Sequence, residues 1–245
     1  MTEALRGFRL LFRWQFFQMR RELVLLMVIQ VALALGIVYG LSFLIPNIDP
    51  RTAAFLATGA PTITLLIVGL QSGPQDVSRD KLSGRHAYIA ALPVPRLALP
   101  AARLAHSLMV QLPGTVLAIV VAAVRFDFAL DISLMVVPAI LLVALSGASV
   151  GYGLGEVMRP EAAGQVGSFL SILVLLFSPV NFPMERLPDA LQAIHVVLPI
   201  KYMADLVRWS LTGGFADNIP LAFGVVTLWC AVGIASCWRA ALRRP

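Results

Sequence analysis

The chain has 245 residues, 59% of them hydrophobic and only 13% charged, against roughly 45–50% apolar and about 25% charged residues in a soluble domain. That is the composition of a membrane protein, and six crossings of roughly 20 residues each make positions 1–245 a single transmembrane domain with no second globular unit. The net charge of +6 comes from 19 basic residues, 17 of them arginine, set between long apolar runs; this suits anionic lipid headgroups and excludes nucleic acid as the expected partner.

Positions 1–22 carry Arg6, Arg9, Arg13, Arg20 and Arg21 interleaved with aromatics, not the early apolar core and small-residue cleavage site of a secretion signal. At 100° per residue, Leu5, Phe8, Phe12, Phe16 and Met19 share one stripe, with Arg6, Arg9, Arg13 and Arg20 on its flank. An interfacial helix is expected, with Phe8, Phe12, Arg13 and Phe16 at the membrane surface. Trp14 and Phe17 fall outside the stripe, which suits a helix sunk deeper or packed on the membrane domain. The plainer alternative is a positive flank for the first span.

Six apolar segments follow, near Leu23–Ile45, Ala53–Gln71, Leu99–Val124, Ile132–Gly155, Ala162–Phe182 and Ile219–Trp238. The predicted fold is therefore an all-α membrane protein with six transmembrane helices. One side of the membrane collects 14 basic and six acidic residues, the other five basic and seven acidic. The excess places both termini in the cytoplasm.

Gly147, Gly151 and Gly155 form a small-residue ridge on the fourth span, and Gly36 with Gly40 repeats the spacing on the first. Such ridges let helices approach closely, within one subunit or across a dimer. Pro113, followed by Gly114, and Pro138 are expected to bend their helices. Two stretches lie outside the spans. The first, 73–96, is polar and closes with Pro93 and Pro95; the second, 183–218, holds two proline-bounded apolar pieces, Pro188–Leu198 and Pro199–Leu211, the second ended by Gly213 and Gly214. Both pieces are too short to cross a bilayer, so they read as re-entrant or interfacial helices on the external side.

The chemistry these residues permit is narrow. The only lysines, Lys81 and Lys201, follow Asp80 and Ile200, so no phosphate-binding glycine-lysine loop exists. His86, His106 and His195 are scattered, which removes a metal site, and Cys230 and Cys237 lie seven apart on one helical face, where no disulfide is expected. Gly147–Gly151 matches the nucleophile pattern G-x-S-x-G around Ser149, and rhomboid-type intramembrane proteases also place a serine in a fourth span. That enzyme needs a basic partner for the serine, a histidine of its sixth span, and Ile219–Trp238 has none. Ser149 therefore reads as a small packing residue. No acid lies near mid-membrane to serve as an ion or proton site, so transport would draw its energy from a partner. A non-transporting membrane scaffold is the remaining alternative.

Within this topology, Gly84, then Pro93, Val94 and Arg96, with Ile89 apolar between them, resembles the coupling-helix region of the permease subunits of ABC-2 type ATP-binding-cassette exporters. The family often has acids two residues before that glycine and three after it, where this chain has Leu82 and Ala87, with Asp80 nearby. Phe182, Pro183, Leu187, Pro188, Leu191, Pro199, Tyr202, Arg208 and Gly213 resemble the drug-resistance branch of the same family, in which a loop rich in Phe and Pro precedes two short external helices. The likeness runs through essentially the whole chain. It implies a permease half: two such subunits, identical or paralogous, form a pathway for an amphipathic, drug-like or lipid-like substrate. Two separate ATPase chains drive export, and they, not this chain, bind ATP and Mg.

The resemblance makes Lys81, Gly84, Arg85, Tyr88, Ile89, Leu92, Pro93 and Arg96 the ATPase-coupling residues, with Tyr88, Ile89 and Leu92 as apolar anchors. An interfacial membrane contact is the alternative for this segment. At the other end of the pathway, Pro179 and Pro183 remove amide donors from the last turn of the fifth span, so its outer end is expected to be irregular and covered by protein. Phe177, Pro179, Phe182 and Pro183 are the expected external gate, an apolar constriction that closes by dewetting; headgroup anchoring by the aromatics is the alternative.

Overall fold

The computed structural model describes residues 2–19, 23–44, 49–92, 94–126, 131–214 and 218–242. Every regular element among them is helical: α1 (Thr2–Met19), α2 (Leu23–Leu44), α3 (Pro50–Leu82), α4 (Arg85–Ala90), α5 (Ala98–Phe126), α6 (Val136–Val157), α7 (Pro160–Phe177), α8 (Asp189–Val197), α9 (Pro199–Thr212) and α10 (Ile219–Leu242), with a 3₁₀ turn, Met184–Arg186, before α8. Five helices, α3, α5, α6, α7 and α10, are long and apolar enough to cross a bilayer. The pair α8–α9, bent by 76° at its junction, makes a sixth if taken as one crossing. α2, the expected first span, has 22 residues, about 33 Å of helix, and its described residues include the shorter apolar run Val28–Gly40.

The second span departs most from expectation. α3 has 33 residues, about 50 Å at 1.5 Å per residue. It starts on Asp49, whose carboxylate accepts from the Thr52 amide, and on Pro50 at its first position. Instead of stopping at Gln71 it runs to Leu82, so the first part of the expected 73–96 loop is helix. Two polar side chains near this end find partners instead of solvent: Gln71 donates to Ser168 Oγ at 3.2 Å, and Ser78 donates to the Pro160 carbonyl. Both partners lie on α7, and this pairing lets a polar sequence continue a membrane helix.

α3 is the centre of the bundle. Leu65, Leu66 and Leu70 pack with Val143 and Ala144 of α6, Met203, Leu206 and Val207 of α9 and Val226 of α10. The glycine ridge of α6 makes this contact within one chain. A Cβ at Gly151 would lie 2.3 Å from the Gly69 carbonyl oxygen, and one at Gly155 would lie 2.9 Å from Val77 Cβ. Among the described residues, a Cβ at Gly36 or Gly40 of α2 would meet nothing within 4 Å. Ser149 is buried against Gly233 of α10 and donates to the Ser146 carbonyl at 3.0 Å, inside a continuous helix; this is a packing environment. Cys230 and Cys237 are free and buried.

Further boundaries are corrected. α6 begins at Val136, so Pro138 lies in its first turn, where a missing amide costs no helical bond and no bend is needed. α5 runs through Pro113 without a break, and the Gly114 notch is filled by Gln30 of α2, which donates to the Val110 carbonyl at 2.7 Å. α7 stops at Phe177 rather than Phe182. The two pieces of 183–218 are helices close to their expected bounds, but α9 is a core element, with Met203, Leu206, Val207 and Leu211 buried.

α1 packs on α4 and α5. Its buried line is Gly7 and Leu11, flanked by Phe8 and Phe12, and it meets Ile89, Ala98, Leu99 and Ala102. This line is rotated from the expected stripe: Leu5 is exposed, and Leu11, which the stripe omitted, is buried. Leu10, Trp14 and Phe17 form a second, outward apolar line, beside the exposed Arg6, Arg9 and Arg13. Arg20, Arg21 and Glu22 lie outside the described residues.

Candidate functional site

The bundle has two chemically distinct ends. At the first, the C-terminal ends of α3 and α6 meet the start of α5 around a buried arginine. Arg103, one turn into α5, donates to Asp80 Oδ2 at 2.7 Å and to Glu156 Oε1 at 3.2 Å, and its guanidinium lies 5.8 Å from the Tyr152 ring centre. Lys81 donates to the Gly155 and Glu156 carbonyls at 2.8 and 2.9 Å. A cation thereby meets two of the last carbonyls of α6, where the helix dipole favours positive charge.

α4 hangs from this network. Gly84 has φ 71° and caps α4, a left-handed geometry that glycine adopts without penalty. Arg85 pairs with Asp80 at 3.2 Å and lies 5.6 Å from the Trp14 ring centre on α1. His86 approaches Glu156 at 3.9 Å. Ile89 is only 3% exposed and wedges among Leu11, Ala98, Leu99 and Ala102, while Tyr88 is 67% exposed. Leu92 is half-buried, and the exposed Arg96 donates to the Leu242 carbonyl at 3.2 Å. Pro93 lies outside the described residues. The outward surface is therefore Tyr88 with Leu82 and Val157 beside the network, while Arg85 and Ile89 seat α4 on the bundle and Lys81 ties the end of α3 to α6.

At the opposite end, α7 gives way to a non-helical run. Ser178, Pro179, Val180 and Asn181 are buried, Phe182 and Pro183 are half-buried, and Phe177 is 46% exposed. Ser178 caps the helix by donating to the Val174 carbonyl. Two side chains from the bent pair hold the carbonyls that the lost helix would have used. His195 of α8 donates through Nε2 to the Phe177 carbonyl at 2.9 Å, and Arg208 of α9 donates through Nη2 to the Val180 carbonyl at 2.9 Å.

Between the ends, α7 leaves Glu161, Gln165, Phe169, Ile172 and Leu176 on one exposed face. The polar part of that face borders an open groove of about 530 Å³ shared with Gln75 and Ser78 of α3. Sequence reasoning missed Arg103, the pairing of Asp80 with Glu156 through it, and this face. The available signals were an arginine a few residues inside an apolar segment and a four-residue polar period on α7.

The described residues form a helical domain with five helices long and apolar enough to cross a membrane, a short helix fixed to one end and a buried irregular run after α7 at the other. The family model for ABC-2 type transporters matches residues 6–212, and the chain belongs to that family. Its members are membrane transport subunits that normally work with separate ATP-binding-cassette ATPases. Nodulation protein J of Rhizobium leguminosarum bv. viciae is 28% identical over 128 residues, 50% of this chain and 47% of that protein, so the match spans about half the length of that relative.

Proposed function

We propose that the chain is the permease subunit of an ATP-driven exporter for an amphipathic, drug-like or lipid-like substrate. Two copies, or this chain and a paralogue, enclose the pathway, and two cytoplasmic ATPase chains that bind ATP and Mg drive it. The observation that carries this reading is the seating of α4: a short helix with one exposed aromatic, Tyr88, is tied through Asp80, Arg103 and Glu156 to the ends of three bundle helices. A solvated loop has no reason for such fixation, and a transmission element requires it. The exposed face of α7 with its groove is the pathway side, because polar groups such as Gln75 and Gln165 are disfavoured against lipid. The outward apolar line and arginines of α1 suit the headgroup region, and Phe177 and Phe182, with Pro179 and Pro183 shaping the backbone between them, form the outer constriction.

Affinity purification of the full chain in mild detergent, with every co-purifying chain identified, tests the reading. An ATP-binding-cassette ATPase should be recovered. Tyr88→Asp should lose most of that ATPase, on the order of a hundredfold in affinity for a buried aromatic anchor, while the permease stays inserted. Equal recovery with unchanged transport would remove α4 from coupling.

The orientation that goes with this reading puts the α4 end and both termini in the cytoplasm of a bacterial cell, with the chain in the inner membrane. A cysteine at Asp189, exposed on α8, should react with an impermeant thiol reagent in intact cells. Reaction at Arg85→Cys instead would invert the topology.

A further inference from the structure

Arg208 is 2% exposed, among the largest fully buried side chains of the fold, and the coupling chemistry at the α4 end makes no use of it. Its guanidinium reaches three elements. Nε donates to Thr58 Oγ1 of α3 at 3.2 Å, Nη1 pairs with Asp205 Oδ1 of α9 at 3.0 Å, and Nη2 donates to the Val180 carbonyl at 2.9 Å. The plane lies 4.0 Å from the Phe55 ring centre of α3. A buried cation of this kind is costly unless every donor direction is used, and only the planar fork of arginine supplies these directions at once.

The carbonyl it takes belongs to the run after α7, which is seated in a notch of α3. A Cβ at Gly59 would lie 2.3 Å from Asn181 Oδ1 and 2.8 Å from the Val180 carbonyl oxygen. Gly59 thus provides the space and Arg208 the bond. We infer that Arg208, with the Gly59 notch, is the positioning element of the outer gate: it pins the non-helical Ser178–Asn181 run to α3 and so fixes where Phe177 and Phe182 project. This rests on the gate reading of those aromatics, and the pinning itself is measurable without it.

The test places a thiol at Val180→Cys, a position with no exposure in the intact fold. The native buried Cys230 and Cys237 of α10 serve as internal reporters of general loosening. In purified full chain, N-ethylmaleimide labelling is followed at each cysteine by peptide mass spectrometry. Arg208→Lys keeps the charge but loses the fork, and Gly59→Ala keeps every donor but crowds the notch. Each should speed labelling of the introduced thiol about tenfold or more, the scale of losing one hydrogen bond to a charged group, with Cys230 and Cys237 still protected. Unchanged labelling in both variants overturns the inference, as does equal acceleration at all three cysteines, which would make Arg208 a general stabiliser. The same variants in liposomes loaded with carboxyfluorescein, without ATP, separate the two readings. Leak supports the gate as well as the pinning; a loosened thiol with no leak keeps the pinning and overturns the gate.

Discussion

Arg103→Met should lower stability by about 3 kcal/mol, the low end for breaking a buried pair, because Asp80 and Glu156 lose their shared cation in a site nearly closed to water while Arg85 and His86 still face them. In a chain of this size that corresponds to a fall of roughly 10 °C in melting temperature, measured in detergent. Adding Asp80→Asn and Glu156→Gln to Arg103→Met should restore most of the loss, since removing both signs of a buried pair is far less costly than removing one. Coupling should not return, because α4 also hangs on Asp80 through Arg85. A melting temperature within about 1 °C of wild type for Arg103→Met, on the scale of an ordinary surface change, would mean that the network is not what fastens the three helix ends.

On the proposed reading of the outer end as a gate, Phe177→Ala with Phe182→Ala should open it. Phe177 projects from the last turn of α7 with its ring half free, and Phe182 follows the pinned run. An apolar ring closes a pore by excluding water from a narrow neck, so on that reading removing both rings would widen and wet the neck together. Reconstituted with its ATPase, the double variant should leak small dyes and accept bulkier substrates while ATP hydrolysis continues. Normal selectivity and no leak, at wild-type expression, would reduce the pair to headgroup anchors.

Hydrophobic runs made the helices legible, but their ends were not. A span limit read from apolar composition fails where polar residues find partners on a neighbouring helix, as Gln71 and Ser78 do on α7. It also fails where proline lets the chain leave the helix while still buried, as at Ser178–Asn181. The α6 glycine ridge could be read, and so could the two short helices before α10. That α9 is core could not, because its arginine looks surface-like until Thr58, Asp205 and the Val180 carbonyl are seen around it. Ile89 carries the same lesson at the α4 end: an apolar residue in a polar stretch suggests an outward anchor, whereas its face is decided by Leu11 on α1, a contact between distant parts of the chain.

The length of α3 has a consequence for how the two ends communicate. Thr58, which meets Arg208, and Asp80, which meets Arg103 and Arg85, belong to one uninterrupted helix, separated by about 33 Å of its axis. The helix passes through Pro61 and Pro74 without a break, so the two ends are linked by one continuous element. Coupling free energy is reciprocal. On the proposed reading, whatever factor nucleotide binding applies to the equilibrium of the outer mouth, a molecule lodged in that mouth must return to the nucleotide affinity. Tighter nucleotide binding in the presence of cargo would then be the same lever worked from its far end.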